Sequence, residues 1–174
     1  MSEMKLHGDI TINDKHYTEG TEVPWYAIYP FFLGHMLLFG ASGFFMAYAD
    51  SRPSLSGVLF LYLHGGIAIV CYTAFYLVVF GRDAVQWMFI NAALGIAGLW
   101  FQVDWLLSWF GRQTNDYPVY IHVIPFLYAV FYTFLIRQAI LDITDSREND
   151  IRRRCVEYAY LAIAVAACLI SYLS

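Results

Sequence analysis

The chain has 174 residues, 60% of them hydrophobic, 19% aromatic and only 14% charged, with a formal net charge of −4. A soluble domain is nearer half apolar and a quarter charged, so an ordinary soluble globular domain is excluded, and no basic surface for nucleic acid is present. The three cysteines have no close spacing and supply neither a disulfide framework nor a zinc motif.

The first 24 residues are polar and acidic, without the basic start and short apolar core of a cleavable signal peptide. Within residues 8–24, Ile10-Thr11-Ile12 alternates, Asn13-Asp14 can turn and Lys15-His16-Tyr17 returns. A small β-hairpin is expected there. A lone two-stranded hairpin is marginal in water, so it is expected to dock, on the helix ends or on a partner. Pro24 suits the first turn of a helix starting at Trp25.

Five apolar runs follow, at residues 25–48, 57–80, 84–110, 119–141 and 155–173. About 20 apolar residues cross a bilayer, so the predicted fold is an all-α integral membrane protein. Residues 1–24 form a cytosolic segment, and residues 25–174 form one bundle of about five transmembrane helices. Gly81-Arg82-Asp83 is expected to turn tightly between the second and third runs. The third run is unusually long, with Trp100, Trp105 and Trp109 crowding its far end as an interfacial belt would; it is expected to tilt or to leave the hydrocarbon in its last turns. A polar loop at 111–116 ends in Tyr117-Pro118.

In the link 142–154, Asp145 followed three residues later by Glu148 resembles a helix start, with helix continuing into the fifth run. Arg152-Arg153-Arg154 lies where anionic cytoplasmic lipid would attract it. Together with Arg147, this triplet is also the candidate face for docking a cytosolic protein partner. Glu157 is expected to pair with Arg153 or Arg154, while Arg137 and Asp142 are expected to reach the interface by snorkelling.

Five spans put Lys5, Lys15, Arg82, Arg137, Arg147, Arg152, Arg153 and Arg154 on one side, against Arg52 and Arg112 on the other. The positive-inside rule then places the amino end in the cytoplasm and the carboxyl end outside, in a plasma or bacterial inner membrane. Gly40, Gly43 and Ala47 in the first run, and Ala93, Ala97 and Gly98 in the third, permit close helix packing. A homo-oligomer is expected on that ground.

The chemistry-bearing residues lie inside these runs. At about 1.5 Å per residue, His122 is roughly 6 Å inward from Pro118, His64 and Asp104 about 10 Å from their outer helix ends, and His35 about 20 Å deep. Ionisable groups at such depth usually face the interior and often mark function. Haem b would need two imidazoles from facing helices, and His64 and His122 match best in depth; His35 is a further candidate. A metal site could use His64, His122 and Asp104, and a proton or ion pathway could run through Asp104 and the histidines. Against these stands a purely structural role, in which each histidine bonds a neighbouring helix and Asp104 pairs with Arg112 or a hydroxyl. No catalytic motif is present. The expected function is a small membrane subunit, an oligomeric sensor, anchor or channel-like component that docks a cytosolic partner. A haem- or quinone-linked redox subunit and a small transporter are the alternatives.

Overall fold

The computed structural model describes residues 3–12, 14–50, 53–147 and 149–173, with the side chains of Glu3, Leu94, Tyr160, Ala164, Ala167, Cys168 and 170–173 outside the description. Asn13 of the expected turn, Arg52 of the charge count and Glu148 of the expected helix start lie outside the described residues.

The amino-terminal segment forms two antiparallel strand pairs. Strand β2 (Ile10–Ile12) pairs with β3 (Lys15–Tyr17), with Ile12 opposite Lys15. Ile10 and Ile12 are buried and Thr11 is exposed, the alternation of a strand with one wet face. Asp14 holds a φ of +60°, left-handed backbone that Asp tolerates in turns. A second pair, β1 (Glu3–Lys5) with β4 (Glu22–Pro24), closes the lobe. Leu6 and Val23 are buried. The lobe is fastened to the bundle by the His7 amide, which donates to the Val78 carbonyl at 2.7 Å.

Helix α1 (Trp25–Tyr48) leads away from the lobe, and α2 (Leu55–Phe80) returns to it. Ser54 caps α2 by accepting from the Gly57 amide at 3.2 Å. The turn after α2 rests on Gly81, whose φ of +83° suits glycine, and the His7 ring packs beside it. A side chain at Gly81 would meet that ring at 3.0 Å. The turn is tighter than the expected Gly81-Arg82-Asp83, because Arg82 and Asp83 already belong to the next helix.

The third apolar run departs from expectation. It is two helices, α3 (Arg82–Leu94) and α4 (Ile96–Ser108), separated by Gly95 and inclined at 72°. A straight helix over 84–110 would be roughly 40 Å long against a hydrocarbon core of about 30 Å. Glycine, costing about 1 kcal/mol in a helix interior, is where that excess is taken up. The pair still begins beside the lobe and ends at the opposite end of the bundle. There a 3₁₀ turn (Val119–His122) starts the next segment, which continues as α5 (Val123–Ile143) back to the lobe end. Helix α6 (Asp150–Leu173) leads away again.

Helix α5 is the axis of the bundle and packs against α1, α2, α3, α4 and α6. Near the lobe, Tyr76, Phe80, Phe131 and Phe134 form an edge-to-face and tilted aromatic cluster with centroids 5.1–5.6 Å apart. Glycines allow the close approaches further along. At Gly65 a methyl group would sit 2.4 Å from Ile124 Cγ2, and at Gly43 3.1 Å from the Tyr128 ring. The Gly43 and Ala47 part of the small-residue stripe is therefore buried within one chain. Gly40 has nothing within 4 Å of where a Cβ would stand.

Among the described residues, α1, α2 and residues 119–143 are each long and apolar enough to cross a membrane, and the bent α3–α4 pair is a fourth if taken as one span. The fifth run is helical, but much of its side-chain surface falls outside the description. The outward face of α2 presents Leu55, Leu59, Leu63, Ile67 and Val70 to the exterior, a helical stripe compatible with surrounding hydrocarbon.

Candidate functional site

Two hydrogen-bonded polar groups form, one at each end of the bundle. At the end away from the lobe, the centre is His122, buried to 2% exposure. Its Nε2 lies 3.1 Å from the Thr114 carbonyl and its Nδ1 2.7 Å from the Tyr48 hydroxyl. A carbonyl only accepts, so Nε2 carries the hydrogen and Nδ1 accepts from Tyr48. Trp100 packs edge-on against the ring at 5.0 Å and Phe126 lies tilted at 5.7 Å.

Asp104 belongs to the same group. Its Oδ1 accepts from the Thr114 amide at 2.7 Å and the Thr114 hydroxyl at 2.8 Å. Of the two structural partners open to it from the sequence, the hydroxyl is the one used. Arg112 turns elsewhere: its guanidinium donates to the Tyr48 and Ala49 carbonyls, which end α1, and to the Tyr117 hydroxyl at 2.8 Å. Tyr117 in turn donates to the Tyr48 carbonyl at 3.0 Å. The 111–118 loop is thus latched to α1, α4 and the start of the α5 segment. The latch uses orphan carbonyls at a helix end that would otherwise lack partners.

The other histidines stand apart. The His64 ring is stacked between Phe39 (5.6 Å) and Phe60 (5.9 Å), and no contact joins it to His122 among the described residues. His35 is exposed on α1, with Nδ1 2.9 Å from the Phe31 carbonyl of its own helix. Axial ligation of a haem iron by His122 would require breaking one of its two hydrogen bonds. Among the described residues, no three His, Cys, Asp or Glu side chains come together in a way that could hold a metal ion.

At the lobe end the centre is Asp142, only 3% exposed. It accepts from the Tyr29 hydroxyl of α1 and from Arg147, whose Nε lies 2.6 Å and Nη2 2.9 Å away. Arg147 also donates to the Gln138 side chain at 2.8 Å. Burial disfavours the Arg147 charge, but bonding to and attraction by Asp142 outweigh it and raise its pKa above the usual arginine value. Asp142 does not snorkel: a carboxylate this buried is tolerated because it is paired and fully engaged.

Two further expectations are corrected. Glu157 pairs with Arg137 of α5, whereas Arg153 pairs with Asp150 at 2.8 Å. A partner on the facing helix is available to Glu157, and the shorter Asp150 lies one turn from Arg153. Helix α6 begins at Asp150 rather than near Asp145. Asn149 caps it by accepting from the Ile151 and Arg152 amides at 3.1 Å, while Asp145 has a φ of +51° and belongs to the turn. Arg152, Arg153 and Arg154 are exposed around the start of α6.

The sequence reading missed the Tyr48, Thr114, Tyr117 and Tyr29 contributions. Tyr48 closed the first apolar run and Tyr117 the polar loop after the third, and their partners come from distant segments. Compared with family models, with curated proteins and with solved structures, the chain matches none.

Proposed function

We propose that this chain is a small membrane-embedded subunit, a sensor, anchor or channel-like component, that docks a soluble partner on its cytoplasmic face. The observation that carries the reading is the ionic junction of Tyr29, Asp142, Arg147 and Gln138. It ties the start of α1, just after the lobe, to the turn between α5 and α6. The two non-helical elements at that end therefore move as one platform, and both present exposed polar groups such as Lys15, His16 and Asp145. The polar set at the opposite end supports the same reading in a different way. His122 and Asp104 Oδ1 direct their bonding to holding the 111–118 loop, which supports a structural role for them.

The test is site-specific photocrosslinking in intact cells, with a photoreactive residue at Lys15, at Asp145, or at Asn115 as the opposite-end control. The Lys15 and Asp145 positions are expected to yield the same protein adduct, and Asn115 none of it. Adducts confined to Asn115, or none at either platform position, would overturn the reading.

A further inference from the structure

The bend at Gly95 opens a cleft of about 530 Å³ between α3, α4 and α5. That volume falls within the roughly 300–1,000 Å³ of small-molecule sites. Its apolar walls include Met88, Leu99, Val130 and Phe134, and Asn91, Gln102 and Thr133 converge on it. None of these three polar side chains makes a hydrogen bond among the described residues. Uncharged amides and hydroxyls in lipid ordinarily find partners on neighbouring helices; here Asn91 and Gln102 are exposed and Thr133 is half-buried, and all three line the open cleft.

Gly98 also lines the cleft, and a Cβ built there would meet nothing within 4 Å. The space in front of it is open rather than filled by a packed helix. Charge at the rim is balanced, because Arg137 is paired with Glu157. The site thus offers hydrogen-bond donors and apolar walls but no net charge to attract an anion.

We propose that this cleft binds a neutral amphiphile whose head carries carbonyl oxygens and whose tail is apolar. The Asn91 and Gln102 amides and the Thr133 hydroxyl donate to the carbonyls, while Leu99, Val130 and Phe134 receive the apolar part. Quinones and acylglycerols share this chemistry. The inference goes beyond partner docking and rests on the bilayer placement; a chain that stays in solution without detergent would show that placement to be wrong, independently of any binding result.

The test uses the full chain in nanodiscs, measuring by mass spectrometry the retention of decylubiquinone and, separately, of dioctanoylglycerol against protein-free discs. One of the two is expected to be retained above the blank, which also identifies the source. Gly98→Leu fills the open space and is expected to abolish retention. The double variant Asn91→Leu/Gln102→Leu is expected to weaken it about tenfold or more, the factor that one ordinary hydrogen bond supplies, with thermal unfolding unchanged or raised. Blank-level retention of both probes would overturn the proposal, as would retention unaffected by either variant. So would unfolding of the double variant, because the amides would then be holding the bundle together rather than a ligand.

Discussion

Replacing Asp142 with alanine tests the junction that joins α1 to the α5–α6 turn. The carboxylate accepts from Tyr29 and twice from Arg147. Tyr29 is 1% exposed, so its hydroxyl would be left without the bond it now donates, a loss of about 1–3 kcal/mol. The Arg147 side chain is 42% exposed; it can turn to water, and losing its ion pair adds at most about 1 kcal/mol. The expected destabilisation is therefore about 1–4 kcal/mol. Tyr29→Phe alone removes the hydroxyl without stranding it and should cost about 1 kcal/mol. Combined with Asp142→Ala it relieves the orphan, so the double variant should be more stable than additivity predicts by about 1–2 kcal/mol. The assay is unfolding by sodium dodecyl sulfate titration in mixed micelles, followed by circular dichroism. An Asp142→Ala variant within about 0.5 kcal/mol of the parent chain, or strictly additive variants, would refute this account of the junction.

Four other substitutions read out the packing and the latch. Gly65→Ala should destabilise by about 1–3 kcal/mol, because its methyl would fall 2.4 Å from Ile124 Cγ2, whereas Gly40→Ala meets nothing within 4 Å and should be neutral or slightly stabilising; melting temperatures of the two variants compare them directly. The Tyr128 hydroxyl is buried without a hydrogen-bond partner among the described residues, so Tyr128→Phe should leave thermal stability unchanged or raise it. Tyr48→Phe removes the donor to His122 Nδ1 and should cost about 1 kcal/mol; nitrogen NMR of the ring in the parent chain should show the neutral form with hydrogen on Nε2. Because both ring nitrogens of His122 are engaged, the purified chain is expected to show no Soret band before or after dithionite reduction, and a band lost in His122→Ala would contradict that expectation.

The parts of this molecule legible in the sequence are those set by local pattern. The Ile10-Thr11-Ile12 alternation carries the β2–β3 pair, and run length with apolar content carries the helices. The tight turn at Gly81 follows from a single glycine between two helices. What escaped depends on partners far apart in the chain. The β1–β4 pair has strands of three residues and is held by closure of the lobe across 16 intervening residues, beyond any short-range signal. The break at Gly95 looks like any helix glycine until α4 packs back on α5. Depth alone matched His64 with His122, yet lateral position decides contact, and the aromatic rings of Phe39 and Phe60 take His64 away from the latch. Asp104 was legible as an interior group, but its partner Thr114 sits in a loop that the sequence shows only as polar.

The central claim is that the bundle crosses a membrane with the lobe platform in the cytoplasm. Cysteine labelling tests it, in a chain with Cys71, Cys155 and Cys168 replaced by serine and a single new cysteine at Lys15→Cys or Asn115→Cys. These positions lie at opposite ends of the bundle, one in β3 and one in the latched loop. With a membrane-impermeant maleimide on intact cells, Asn115→Cys should label at once and Lys15→Cys only after permeabilisation. Labelling of both from outside, of neither until permeabilisation, or in the reverse order would contradict the account.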